Sequence, residues 1–204
     1  MMTSINSIHL EVPDPTLVEA FYRDAFGLGD PVHLRASDSQ STGFRGFTLS
    51  LVVPQPATVD ALVRAALDAG ATSLKPARKQ LWGGYSGVVQ APDATIWKIA
   101  TESKKDTGPA TRQIDGIVLL LGVADLQESR RFYVDRGLTV AKRYGSYTEF
   151  EAPSGAVKLG LYKRRALAKD ANVSPDGGGS HRIVISSDAA SFTDPDGFVW
   201  ETAA

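Results

Sequence analysis

The fold is decided by INSIHLEVPDPTLVEAFYRDAF at Ile5–Phe26, a stretch that the chain repeats in outline as IDGIVLLLGVADLQESRRFYVDRG at Ile114–Gly137. Each copy is an apolar, strand-like run that ends at an acidic turn. A helix-patterned segment follows and carries a Phe-Tyr pair, which ends in Tyr22 or Tyr133. The copies lie about 110 residues apart, so a duplicated unit is predicted to cover most of the chain.

Composition limits the class of protein before any motif is considered. The chain has 204 residues, of which 43% are hydrophobic and 22% are charged, and its formal net charge is −1. These values are ordinary for a globular protein and give no electrostatic reason to expect a nucleic acid or a membrane as a partner. With no cysteine, disulfides and thiolate metal sites are excluded. The start of the chain does not read as a signal peptide, so a cytoplasmic location is expected.

Three polar segments are predicted to connect the folded parts. Residues 104–112 contain Gly108-Pro109 and lack either apolar period, so they are predicted to be a linker between domains at 1–103 and 113–204. Arg164–Ala171 is predicted to be an exposed basic helical turn. Ser174–Ser180, with the sequence SPDGGGS, is predicted to be a flexible loop.

The order of apolar patterns predicts an α+β fold of tandem βαβββ modules. Complete modules are predicted at Phe47–Ile99 and Ile114–Tyr162, whereas Met1–Gly46 and His181–Ala204 read as truncated copies. Two pairings are open: the two complete modules pair with each other, or each half of the chain pairs within itself. In either case the missing strands leave exposed sheet edges, which favour a homodimer.

The chain resembles the glyoxalase/bleomycin-resistance/dioxygenase family, the vicinal oxygen chelate superfamily. The resemblance rests on the repeated opening, on LWGGYSGVVQAPDATIWKI at Leu81–Ile99 and on FTDPDGFVWET at Phe192–Thr202. It implies curved mixed sheets that form a cup, with a divalent metal held by His, Gln or Glu on the strands. It also favours pairing within each half.

The positions that hold the metal in that family read differently here. In the first half they are Ser7, Thr48 and Lys98, none of which replaces an imidazole or a carboxylate around a divalent ion. In the second half they are Gly116, His181 and Glu201. His181 and Glu201 are therefore the candidate metal ligands, and they are an incomplete set.

Several other side chains are candidates for a site in such a cup. His9 lies on the same strand face as Ser7, and with Lys98 and Glu201 it is a candidate for acid–base catalysis. The tryptophans at positions 97 and 200 alternate with Lys98 and Glu201 and are predicted to lie in the core. The candidates for ligand contact, chosen for their faces and for aromatic stacking, are Ser7, Thr48, Trp82, Tyr85, Tyr147, Glu149 and Tyr162.

Two classes of function follow. The first is a protein that binds a small aromatic or amphipathic molecule in the cup and needs no cofactor, as resistance members of the family do. The second is a lyase- or dioxygenase-type enzyme, which uses either a divalent metal at His181 and Glu201 or metal-free acid–base residues. The sequence names neither the ligand nor the substrate.

Overall fold

The computed structural model describes residues 3–81, 83–153 and 156–203. In chain order the helices of these residues are α1 (Pro15–Phe26), α2 (Pro56–Asp68), α3 (Leu126–Val134) and α4 (Arg164–Ala171). The strands of the first half are β1 (Ile5–Val12), β2 (Val32–Ala36), β3 (Ser41–Gly43), β4 (Phe47–Val52), β5 (Thr72–Lys79), β6 (Tyr85–Gln90) and β7 (Ile96–Thr101). Those of the second half are β8 (Gly116–Val123), β9 (Val140–Tyr144), β10 (Tyr147–Phe150), β11 (Lys158–Lys163), β12 (Gly177–Gly179), β13 (Ile183–Ser187), β14 (Phe192–Thr193) and β15 (Val199–Thr202).

The strands form two large sheets and a small one. The five-stranded sheet has the order β14-β15-β13-β1-β2, and the eight-stranded sheet has the order β5-β6-β7-β4-β8-β11-β10-β9. A two-stranded ribbon joins β3 to β12. Each sheet therefore takes strands from both halves of the chain, and the expected α+β fold of βαβββ modules with shortened outer copies is confirmed.

Of the two pairings that the sequence leaves open, the one within each half, which the resemblance favours, is wrong, and the pairing between the complete modules is the one observed. The two complete modules pair with each other, because β4 and β8 lie antiparallel with Phe47 opposite Leu121. The truncated ends pair in the same way, because β1 lies antiparallel to β13 with His9 opposite Val184. An apolar strand that is buried in mid-sheet needs a neighbour on each side, and for β1 and for β8 a strand of the other half supplies one of the two. The domains proposed at 1–103 and 113–204 stay a prediction.

Local chemistry sets the helix ends as the sequence predicts. The Asp14 carboxylate accepts a hydrogen bond from the Thr16 amide at 2.9 Å, and Pro15 begins α1. In the second copy Asp125 caps α3 through the amides of Gln127 and Glu128. Helix α1 ends at Gly27, whose φ of 63° is a left-handed conformation that glycine adopts without strain.

Each half is also held together internally, through the tyrosine of its Phe-Tyr pair. The Tyr22 hydroxyl lies 3.0 Å from both carboxylate oxygens of Asp93, in the turn between β6 and β7. The Tyr133 hydroxyl donates to Asp194, before β15, at 2.6 Å. Trp97 and the equivalent tryptophan of β15 pack beside these tyrosines in the core, as predicted. The duplication thus preserves a helix-to-turn clamp.

Two of the predicted connecting segments are ordered elements. Helix α4 is amphipathic and fully buries Leu167 and Ala168 in a second apolar cluster, so its description as an exposed turn is wrong. The glycine run is strand β12 rather than a flexible loop. It pairs with β3. A Cβ at Gly177 would meet the backbone of Phe44, so only glycine permits this close approach of the two strands.

Within the described part of the chain, none of the helices has the length and apolar character that crossing a bilayer requires.

Candidate functional site

The five-stranded sheet has an apolar face in the core and a polar face outside it. Along β1, Ile8 and Leu10 are buried in the core, whereas Ser7 and His9 alternate with them and are partly exposed. We call the outer side the polar face. It is formed by the side chains of Ser7, His9, Glu11, His33, Arg35, Val184, Ser186 and Glu201.

An ion pair crosses this polar face. Arg35 of β2 donates from both terminal nitrogens to the two carboxylate oxygens of Glu201 on β15, at 3.0 and 2.9 Å. Strands β13 and β1 lie between them, and Ser186 of β13 is only 7% exposed. Arg35 holds the pKa of the Glu201 carboxyl below its usual range, chiefly through these hydrogen bonds. Glu201 is therefore an ionised carboxylate with both oxygens engaged.

His9 lies beside this ion pair in a position that disfavours its protonated form. Its ring is stacked on that of His33, with the ring centres 5.3 Å apart, and its Nε2 lies 3.3 Å from the Ser7 hydroxyl. Burial lowers the pKa of His9, and the positive charges of Arg35 and His33 lower it further, while Glu201 opposes them. His9 is therefore a neutral imidazole at pH 7, able to accept a proton.

His181 lies outside the polar face. Its Nδ1 is 2.5 Å from the Arg45 carbonyl and its Nε2 is 3.0 Å from the Asp196 carbonyl. The ring is also stacked on Phe198, with the ring centres 3.8 Å apart. These contacts tie the loop before β4 to the turn before β15, so His181 has a structural role and is not paired with Glu201.

The matching face of the eight-stranded sheet is covered by the chain itself. Helix α4 packs on β8, β11 and β4, and its Asp170 accepts hydrogen bonds from Lys98 at 2.8 and 3.1 Å. Thr48 is buried on the same face of β4 and is 3% exposed. Lys75 adds a hydrogen bond to the Lys169 carbonyl at the end of the helix. Lys98 is therefore engaged in holding α4.

The aromatic candidates of the second half meet beyond α4 on the same sheet face. Tyr147 donates to Glu149 at 2.7 Å, and its ring lies 4.7 Å from that of Tyr162. Lys158 adds a charged contact to Glu149 at 3.3 Å. Burial and the Glu149 carboxylate raise the pKa of Tyr147, so its hydroxyl remains a donor. These side chains satisfy one another and form a second polar cluster.

Comparison with known proteins supports this architecture. The sequence matches no family model and no curated protein. The structure superposes on glyoxalase I from Zea mays with a TM-score of 0.66 at 15% identity, covering 97% of this chain and 91% of that one. It also superposes on a putative dioxygenase from Bacillus subtilis subsp. subtilis with a TM-score of 0.56 at 13% identity, covering 90% of this chain and 69% of that one.

The chain has the vicinal oxygen chelate fold. At these identities the likeness establishes the fold alone, so the chemistry has to come from the residues of this chain.

The residues of this chain do not fit the metal that the vicinal oxygen chelate fold implies. Among the described residues no group of three or more His, Asp or Glu side chains is arranged to hold an ion. Glu201 gives both oxygens to a guanidinium, and both nitrogens of His181 face backbone carbonyls. The fixed positive charge of Arg35 beside Glu201 would also repel a divalent ion.

Two remaining candidates of the sequence lie apart from the polar face. Tyr85 lies on the α2 side of β6, where its hydroxyl donates to Asp60 at 2.9 Å. Trp82 lies outside the described residues.

Arg35 and His33 are not among the candidates that the sequence indicates. Both lie on β2, whose parallel register with β1 sets His33 beside His9 and Arg35 beside Glu11. The signal available in the sequence was the alternation of His33 and Arg35 in VHLRA, which puts both side chains on one face of the strand.

Proposed function

We propose that this chain binds a small aromatic or amphipathic molecule on the polar face of the five-stranded sheet, without a metal. The observation that supports this is the bidentate pair between Arg35 and Glu201, which puts a fixed cation beside the carboxylate that would otherwise be a ligand. A guanidinium keeps its charge at any physiological pH, so such a site needs no cofactor to attract an anionic group.

The side chains of the polar face favour a planar ligand with a carboxylate. Arg35 has five N–H donors, of which two are used by Glu201, so donors remain for a ligand. The stacked rings of His9 and His33 offer a flat surface beside it. The His33 side chain is 40% exposed and therefore accessible.

The position of helix α4 argues against a second ligand site of this kind on the eight-stranded sheet. It buries Leu167 against the eight-stranded sheet and is tied down by Lys98. The corresponding cup is thus filled by apolar and ion-pair contacts that a ligand would have to replace.

The test is a calorimetric titration with 1-naphthoate and with its uncharged match, 1-naphthamide, in buffer treated with a chelator. We expect saturable binding of the acid, binding at least about tenfold weaker for the amide, and loss of acid binding in Arg35→Gln. Arg23→Gln is the matched control, because Arg23 is exposed and pairs with its neighbour Asp24. Equal binding by the acid and the amide, or binding that requires added Zn²⁺, contradicts the proposal.

A second function, metal-free acid–base catalysis, is favoured by the neutral His9 beside Ser7. A histidine with a lowered pKa is suited to accept a proton at neutral pH. The test is turnover of a thiol adduct of a 1,2-dicarbonyl compound in the presence of a chelator. Turnover that is lost in His9→Gln supports an enzyme, whereas binding without turnover supports the first proposal.

A further inference from the structure

Positive charge is concentrated in one part of this chain. Between residues 126 and 169 there are ten arginines and lysines but only four aspartates and glutamates, although the whole chain has a net charge of −1. Such an asymmetry produces a local field that the overall charge conceals. Part of it is internal, since Lys158 pairs with Glu149 and Arg164 donates to the Phe44 carbonyl. The remainder is available at the surface.

Three of these cations line one concavity. It has a volume of about 420 Å³ and lies between the start of α3, the β9–β10 hairpin and the end of β11. We call it the basic cavity and define it by Arg130, Arg143 and Lys163. Gly145 is at its rim, where a Cβ would meet no atom within 4 Å, so the space beside the hairpin is open.

The three cations of the basic cavity are only partly balanced by the protein. Among the described residues, the side chains of Arg130, Arg143 and Lys163 have no hydrogen-bond or ion-pair partner. The carboxylate that lines the cavity, Asp125, accepts the Glu128 and Gln127 amides as the cap of α3. These bonds lower the pKa of Asp125, and Lys163 contributes, which places the lysine charge near the carboxylate.

We propose that the basic cavity binds the phosphate group of a small phosphate ester. Three cations and one carboxylate leave a net charge of about +2, which matches the charge of about −1.5 to −2 on a phosphate monoester at pH 7. Arginine presents paired donors that fit the oxygens of a phosphate, and the lysine adds a mobile charge. A volume of about 420 Å³ also leaves room for the organic part.

The basic cavity is separate from the polar face of the five-stranded sheet. None of its lining residues belongs to β1, β2, β13 or β15. The proposal is therefore independent of the function proposed above, and Arg35→Gln is expected to leave phosphate binding unchanged.

The experiment is an NMR titration of backbone amides with phenyl phosphate and with phenol as its uncharged match, in low salt. We expect saturable shifts at Ala124, Gln127 and Gly145 with phenyl phosphate, and none with phenol. Arg143→Gln and Arg130→Gln are each expected to weaken binding about tenfold through the loss of charged hydrogen bonds.

Neighbouring cations supply matched controls for these variants. Lys142→Gln and Arg131→Gln remove the same charge from positions outside the basic cavity, and we expect them to weaken binding less than about twofold, as screened long-range effects. The proposal is overturned if phenyl phosphate gives no saturable shift up to about 10 mM, a concentration well above the Kd expected for a specific anion site. It is also overturned if controls and cavity variants weaken binding equally, or if anionic vesicles or oligonucleotides bind while phenyl phosphate does not.

Discussion

Arg35 and Glu201 are 166 positions apart in sequence and are separated by two strands in the sheet, yet they form a bidentate ion pair with distances of 3.0 and 2.9 Å. Their side chains are 36% and 45% exposed. Ion pairs this exposed contribute only about 0–1 kcal/mol to folding. Stability alone therefore gives a weak reason for such a pair, and its position on the polar face beside His9 is consistent with the ligand site proposed above.

The first prediction concerns the charge of Glu201. Arg35 lowers the pKa of this carboxyl, so Arg35→Gln is expected to raise it toward the ordinary glutamate value. The measurement is an NMR titration of the Glu201 side-chain carboxyl carbon in both proteins. Arg23→Gln is the control and should leave the titration of Glu201 unchanged. An unaltered pKa in Arg35→Gln would show that the ion pair does not persist in solution.

The second prediction concerns the pH dependence of stability. Because the folded chain lowers the pKa of His9, the unfolded chain takes up that proton first as the pH falls. His9 thus has no effect above the unfolded pKa of about 6.5, and it lowers the free energy of unfolding as the pH drops from there to its folded pKa. Urea unfolding at about pH 7.5 and 5.5 should show a smaller loss for His9→Gln than for the parent. An equal loss in both proteins contradicts a neutral His9.

The repeated motif made the fold predictable because each half encodes the same contact within itself. The tyrosine of each Phe-Tyr pair contacts an aspartate in a later turn of the same half, as Tyr22 with Asp93 and as Tyr133 with Asp194. Both contacts lie within one half of the chain, so their partners occur in the same order in each copy and can be recognised by comparison. The pairing of the sheets, by contrast, depends on which edge of β4 and β8 is free, and neither sequence copy records that.

The site was only partly predictable for a related reason. Alternation along β1 correctly put Ser7 and His9 on one face, and alternation along β7 and β15 put both tryptophans in the core. The role of Arg35 depends on its contact with Glu201, and the two residues lie on strands from opposite ends of the chain. The burial of α4 was not predicted because four of its eight residues are charged. Its apolar stripe, formed by Leu167 and Ala171, is too short to stand out in the sequence.

The third prediction tests whether α4 fills the eight-stranded sheet. Leu167 is fully buried, so Leu167→Ala is expected to cost about 2–5 kcal/mol of unfolding free energy and to speed amide hydrogen exchange across Arg164–Ala171. Leu17→Ala is the matched control, because Leu17 is 78% exposed, and it should change stability by less than about 0.5 kcal/mol. Equal effects of the two changes would mean that α4 is only loosely attached.

The fourth prediction compares the two copies of the helix-to-turn clamp. Tyr133→Phe leaves an oxygen of Asp194 without its donor, and Asp194 is only 5% exposed and has its pKa raised by burial. Such an unsatisfied group costs about 1–3 kcal/mol. Tyr22→Phe removes the matching bond to Asp93, which is partly exposed and keeps its bond from the Thr95 hydroxyl at 2.7 Å.

Water can replace the lost donor at Asp93 more easily than at Asp194, so Tyr22→Phe is expected to be the milder change by about 1 kcal/mol. Urea unfolding of both variants and of the double variant measures the difference. The two sites share no contact, so the effects should add within about 0.5 kcal/mol. A larger loss in Tyr22→Phe would reverse the ranking and show that solvent does not reach the first clamp.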